Sequence, residues 1–318
     1  MLAWQWLLDA DAAINRQGAA AALLLALVMA AVALLMHRLW HAAHPALMRR
    51  WTRGDRPRQR PAGRTVLPIA GAAVYAGVLA MLAFVSCVGV WSFPSLWPQV
   101  WSLQAWSTVF ASASTLGTTT GLALTSATTG LLLAVAWMET TPATWDRRAA
   151  FAVFAPMLVP GVLLVAGLYR VTLELGIAGT LTGLWLAHSL YTAPYVLVAL
   201  APAYRGFDAR YEVTAQALGR SRAAFLWRIK WPMLMAPLAA AFAVGFAVSV
   251  AQYLSTQFVG AGRHATVTTE ALTLAAGGQR SLTAAFALLQ GLMPALVFGA
   301  AWWLARRQSR RIAATVFA

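Results

Sequence analysis

The chain has 318 residues, of which 60% are hydrophobic and 10% charged, and its mean hydropathy is +0.66. This composition excludes an ordinary water-soluble globular domain and indicates a lipid bilayer as the surroundings. The formal net charge of +15 would suggest nucleic acid binding in a soluble protein. In a membrane protein it predicts no nucleic acid partner and instead raises the question of which side of the membrane each charge occupies.

Uncharged stretches long enough to cross about 30 Å of hydrocarbon as helices follow one another along the chain. One of them is too long for a single helix, and the tryptophans and prolines between Trp91 and Trp106 predict a membrane-surface connection in its middle. We therefore predict an all-α integral membrane protein with about seven transmembrane helices. The stretches are 18–36, 65–138 with two spans, 149–169, 175–204, 231–262 and 281–305.

The basic residues are distributed unevenly between the two sides of these spans. If the N-terminus lies outside, the cytoplasmic segments hold 20 of the 24 Lys and Arg residues and the outer segments hold 4. The positive-inside rule therefore predicts an outer N-terminus and a cytoplasmic C-terminus. Asp9 and Asp11, rather than basic residues, precede the first apolar run, so we expect that the first helix is kept as an anchor and is not cleaved as a signal peptide.

Four parts of the chain follow from this topology. They are an extra N-terminal transmembrane helix (1–40), a basic cytoplasmic linker (41–65), a six-helix core (66–305) and a basic cytoplasmic tail (306–318).

His37, His41 and His44 share one helical face beside many arginines. Because neighbouring cations disfavour a divalent metal ion, we expect no metal there and predict contact with lipid headgroups. The single cysteine, Cys87, cannot form a disulfide framework, and no residue spacing predicts a zinc or haem site.

The cytoplasmic segment 203–233 contains apolar residues at helical spacing on both sides of a glycine. This pattern predicts two short amphipathic helices that are separated at Gly219, because glycine readily adopts the left-handed conformation that ends a helix. Ser221 can cap the second helix, and Pro232 suits the first turn of the next span. We therefore expect this loop to be rigid.

The loop resembles the cytoplasmic signature of the permease subunits of binding-protein-dependent type I ABC importers. That signature reads Glu-Ala-Ala, three residues, Gly, nine residues, Ile, one residue, Leu-Pro. The matching residues are Ala215, Gly219, Ile229 and Pro232. The departures are Val213 and Thr214 in place of Glu and Ala, a Glu212 displaced by one residue, and Trp231 in place of Leu. The segment 252–281 is also similar to the outer part of the last two spans in permeases of the thiamine, ferric-iron and polyamine type.

The resemblance implies a permease subunit of a bacterial inner membrane that forms a solute pathway by alternating access. It implies three kinds of protein partner, namely ABC ATP-binding subunits, a second permease half on the same or a different chain, and an external solute-binding protein. ATP and Mg²⁺ would bind to the ATPase subunits, and we expect no cofactor and no enzymatic activity on this chain, because its only lysine, Lys230, is not part of a P-loop. The implied ATPase-coupling residues are Tyr211, Glu212, Ala215, Leu218, Gly219, Phe225, Ile229 and Pro232.

Polar residues within the spans are candidates for the solute pathway, because such groups are costly in lipid and usually face the interior of a helical bundle. The candidates are His188, Gln252, Tyr253, Thr256 and Gln257, with Glu270 near the outer mouth. The alternative is that these side chains form hydrogen bonds between helices and so stabilise packing.

Three alternatives remain open. The first helix weakly resembles 276–298, which suggests that the chain is one half of a fused two-repeat permease, although an additional anchor typical of the family would look the same. An ion-coupled secondary transporter is disfavoured because almost no acidic residue lies within a span. A multi-helix sensor without transport activity would leave the spacing of Gly219, Ile229 and Pro232 unexplained.

Overall fold

Helices account for nearly all of the structure. The computed structural model describes residues 11–52, 61–91 and 94–316, and within these ranges the extended pairing is an isolated bridge between Val88 and Trp101. The helices are α1 (Ala12–Thr52), α2 (Pro61–Ser86), α3 (Gln104–Ala111), α4 (Ala113–Thr140), α5 (Ala143–Leu158), α6 (Gly161–Glu174), α7 (Leu181–Arg205), α8 (Arg210–Ala217), α9 (Arg222–Met233), α10 (Met235–Val250), α11 (Leu254–Val259), α12 (Val267–Ala276) and α13 (Arg280–Val316).

Among the described residues, five helices are long and apolar enough to cross a membrane, and they lie in α1, α2, α4, α7 and α13. A sixth candidate is formed by α9 and α10 together, which are bent by 74° where they meet. The prediction of an all-α integral membrane protein is therefore confirmed.

The predicted span 149–169 is divided into two short helices. Helix α5 has 16 residues and ends at Leu158, whereas α6 has 14 residues and begins at Gly161. Pro160 lies between them, and proline has no N–H to continue the hydrogen bonds of a helix. Each of these two helices is too short to cross the bilayer alone. The structure therefore has five or six candidate spans, whereas the sequence predicted seven.

Close packing of α4, α7 and α10 forms the centre of the bundle. A Cβ atom on Gly245 of α10 would lie 2.7 Å from Cγ2 of Val196 in α7 and 3.3 Å from the Cα atom of Ala127 in α4. Small residues let helix backbones approach in this way, and van der Waals contact then stabilises the bundle in lipid. Helix α13 packs on the other side of α10 and also contacts α2 and α12.

Helix α1 lies at the edge of the bundle, where it contacts α5 and α6. Nearly all of its large apolar side chains are exposed, as expected for a helix surrounded by lipid. The helix continues to Thr52, so the first part of the predicted linker is helical. The residues that follow, 53–60, lie outside the described part of the chain.

The connections between the core helices gather at two opposite ends. At one end lie the turn between α4 and α5, the loop from α7 to α9, and Gln308 of α13, whose Nε2 is 3.5 Å from the carbonyl oxygen of Pro232. At the other end, Gly179 donates its N–H to the carbonyl oxygen of Val259 at 2.8 Å, and Ser281 donates to the carbonyl oxygen of Val88. The described connections of the core therefore form two separate surfaces, one at each end of the bundle.

Candidate coupling site and solute pathway

The loop between α7 and α10 contains two helices, α8 and α9, joined by a tight turn, as predicted. Gly219 follows α8 with a φ of +72°, in the left-handed region. Its N–H donates to the carbonyl oxygen of Gln216, and the N–H of Arg220 donates to that of Ala215, both at 2.9 Å. These two bonds close a Schellman motif. Ser221 then caps α9 by accepting a hydrogen bond from the N–H of Ala224 at 3.3 Å.

The inner face of this loop has its own small apolar core. Ala215 of α8 and Phe225 of α9 are both buried, and the ring of Phe225 lies 6.2 Å from that of Phe207. Ile229 and Pro232 are half-buried further along α9. These predicted coupling residues therefore hold the loop together.

The outer face of the loop is apolar and exposed. Leu218, next to Gly219, is 74% exposed, Val213 is 65% exposed and Tyr211 is 47% exposed. Glu212 lies between two of them in the first turn of α8, where the helix dipole favours an acidic residue. An apolar surface on a rigid, capped element is suited to docking in a groove of another protein.

Glu139, near the end of α4, holds this loop against the bundle and was not predicted as a functional residue. Its carboxylate accepts hydrogen bonds from Lys230 Nζ at 2.5 Å, from the Tyr204 hydroxyl at 2.7 Å and from Arg222 Nη2 at 3.1 Å. Arg222 also donates to the backbone carbonyl oxygen of Glu139 at 2.9 Å. Lys230 lies over the Tyr204 ring, 4.3 Å from its centroid, which adds a cation–π contact.

Asp146 of α5 makes a second connection at the same end. Arg205 donates to both carboxylate oxygens of Asp146, at 2.7 and 2.9 Å, and its other nitrogen donates to the carbonyl oxygens of Met138 and Thr141. A bidentate pair of this kind fixes orientation as well as distance. The sequence could have indicated both residues, because Glu139 and Asp146 are the only acidic residues between Asp55 and Glu174.

His188, the first pathway candidate, is buried between three helices. Its Nδ1 lies 2.8 Å from Ser249 Oγ of α10, and its Nε2 lies 2.9 Å from Thr256 Oγ1 of α11. The side chain of Gln252 donates to the backbone carbonyl oxygen of His188 at 3.3 Å. These contacts favour the alternative in which these residues stabilise helix packing.

The remaining pathway candidates are less enclosed. Tyr253 is half-buried, Gln257 is exposed, and Glu270 is half-buried in the first turn of α12. Thr266 and Thr269 form a capping box at the start of that helix, which orders the backbone around Glu270. The candidates therefore divide between the buried His188 cluster and the surface of the end opposite to the loop.

An open groove runs between α4 and α7 and was not predicted from the sequence. It has a volume of about 650 Å³ and is lined by glycines, hydroxyl-bearing residues and large apolar residues. They include Ser114, Gly117, Thr118, Gly121, Thr125 and Trp185. A Cβ atom on Gly117 or Gly121 would meet no other atom within 4 Å, so this face of α4 is uncovered in the isolated chain.

The helical fold is that of a multi-pass membrane protein, with a capped two-helix loop at one end of the bundle and an open groove between α4 and α7. No family model matches the chain. It is 36% identical over 298 residues to the inner membrane ABC transporter permease protein YnjC of Escherichia coli K12, a match that covers 94% of this chain and 53% of YnjC. The chain therefore spans about half the length of this relative.

A shorter match points to the same class. Over 106 residues the chain is 28% identical to the spermidine/putrescine transport system permease protein PotC of Escherichia coli K12, which covers 33% of this chain and 40% of PotC. The predicted resemblance to permease subunits of ABC transporters is confirmed by these two relatives, to which the chain is similar.

Proposed function

We propose that this chain is one permease half of an ATP-driven importer, which couples to a separate ATPase through the loop 203–233. The observation that carries the proposal is the exposed apolar surface of Leu218, Val213 and Tyr211 on a loop whose helices are both capped. A rigid element with apolar contacts can pass a rigid-body movement from one subunit to another. A flexible loop would deform and pass on only part of that movement.

The solute pathway in this proposal lies between the chain and a second permease half. The groove between α4 and α7 supports this, because Ser114, Gly117, Gly121 and Thr125 on its α4 wall are exposed in the described chain. A second half would cover this face and enclose the groove. The twofold greater length of YnjC is in line with a permease that contains two such halves.

The orientation and partners follow from the same proposal. The end that carries the loop faces the cytoplasm, where the ATPase subunits bind ATP and Mg²⁺. The opposite end, with Glu270, faces an external solute-binding protein. The N-terminus then lies outside and the C-terminus inside, in agreement with the 20 to 4 distribution of basic residues.

The test is the substitution Gly219→Asp. It places a charge and a strained backbone next to Leu218, so we expect it to reduce co-purification of the ATPase subunit at least about five-fold, a loss of about 1 kcal/mol of docking free energy. The measurement is affinity purification from the native membrane in mild detergent, followed by quantitative mass spectrometry.

The matched control is Gly176→Asp. Gly176 has a φ of +68° and, like Gly219, meets no atom within 4 Å of its Cβ position, but it lies at the opposite end of the bundle. The control chain should retain the ATPase. Equal retention by both variants would show that the loop is not the docking site. Absence of an ATPase even from the unmodified chain would favour a secondary transporter or a sensor.

A further inference from the structure

The loop can transmit movement to the pathway only if a stiff connection joins them, and the helices themselves do not supply it. Gly206 ends α7 before α8 begins, and α9 meets α10 at an angle of 74°. The turn Leu226–Lys230 inside α9 is a π-helix, which is a less regular element than an α-helix. Neither end of the loop therefore continues as a straight helix into the bundle.

A side-chain connection joins the loop to α4 instead. The carboxylate of Glu139 contacts Tyr204 at the start of the loop and both Arg222 and Lys230 in its second helix. The side chains of Glu139 and Lys230 are only 14% and 13% exposed, so water screens this pair weakly. Trp231 Nε1 donates to the Tyr204 hydroxyl at 3.0 Å and completes the network.

The position of Glu139 on α4 gives this network a mechanical consequence. The same helix carries Ser114, Gly117, Gly121 and Thr125, which line the groove. Charge-assisted hydrogen bonds from several directions restrain both distance and orientation. A displacement of the loop is therefore passed to the helix that forms one wall of the groove.

We propose that Glu139 is a positioning residue that transmits movement of the 203–233 loop to α4 and so to the groove. This inference rests on the proposed function and names the residue that connects the loop to α4. Asp146, which holds Arg205, fixes the neighbouring turn between α4 and α5 and keeps the end of α4 in place. In this role Glu139 acts through α4 and does not contact the solute.

The test measures whether ATP still changes the accessibility of the groove when the hydrogen bonds of Glu139 are removed. In a Cys87→Ser background, Thr125→Cys reports on the groove through its rate of labelling by a water-soluble maleimide. The purified chain with its co-purifying ATPase is labelled without nucleotide and with ATP and vanadate. In E139Q we expect the ATP-driven change in labelling rate to fall about ten-fold, within the usual range for coupling between sites. ATPase binding and ATP hydrolysis should remain.

Two further variants make the result specific. The double variant Glu139→Gln with Lys230→Gln removes both buried charges and leaves only Arg222, whose side chain is 61% exposed, without its acid, and it should show the same loss. Glu174→Gln removes an acid from the pair Arg170–Glu174 at the opposite end, whose side chains are 83% and 71% exposed, and should leave the labelling change intact.

Three outcomes separate the two proposals. Normal ATP-driven labelling in E139Q would overturn the role of Glu139 while the proposed function stands. Loss of ATPase binding in E139Q would also overturn it, because Glu139 would then support docking itself. If the unmodified chain binds no ATPase and its labelling does not respond to ATP, the proposed function fails, and the inference about Glu139 fails with it.

Discussion

At the scale of single residues, His188 shows how a polar group can be accommodated inside a membrane bundle. An ionisable side chain within a span suggests function by default. Here both ring nitrogens of His188 lie within hydrogen-bond distance of hydroxyl groups, one on Ser249 and one on Thr256. Because both of its ring nitrogens have a hydrogen-bond partner, His188 connects α7 to α10 and to α11.

The substitution His188→Ala should therefore lower stability. Hydrogen bonds between membrane helices contribute about 0.6 to 2 kcal/mol each, so the loss of two should reduce the free energy of unfolding by about 1 to 4 kcal/mol. Thermal unfolding of the purified chain in detergent is the measurement. His264→Ala is the control, because His264 makes one hydrogen bond, to the carbonyl oxygen of Gly179 at 3.2 Å. An unchanged unfolding temperature together with lost transport would instead assign His188 to the pathway.

At the scale of helices, the contact between α4, α7 and α10 depends on the absence of a side chain at Gly245. Substitution Gly245→Val would place atoms where Val196 and Ala127 already lie. We expect overpacking to cost about 1 to 3 kcal/mol and to lower the unfolding temperature in detergent. Gly77→Val in α2 is the matched control, since no atom lies within 4 Å of its Cβ position. Similar melting of the two variants would contradict the proposed close contact.

At the scale of the whole molecule, the two ends of the bundle predict different accessibility in cells. In a Cys87→Ser background, Leu175→Cys lies at the end opposite to the loop and Leu218→Cys lies on the loop, and both positions are exposed. A membrane-impermeant maleimide added to intact spheroplasts should label Leu175→Cys and spare Leu218→Cys. Permeabilised cells, the control, should label both. Labelling of Leu218→Cys alone in intact spheroplasts would mean that the chain has the opposite orientation.

The sequence by itself determined the properties that depend on local composition and spacing. Mean hydropathy and span length predicted the all-α membrane class, because each stretch must satisfy its own backbone in lipid. The helix, glycine and helix of the loop were predictable because Gly219 and Ser221 act on their immediate neighbours.

The tertiary structure decided what depends on contact between distant residues. Glu139 and Lys230 are 91 positions apart, and His188 and Thr256 are 68 apart, so no local pattern relates the members of either pair. The open groove likewise depends on how α4 and α7 pack, since Gly117 and Gly121 would suit a buried helix contact equally well. Packing brings such residues together or leaves them uncovered, and it is a property of the whole bundle.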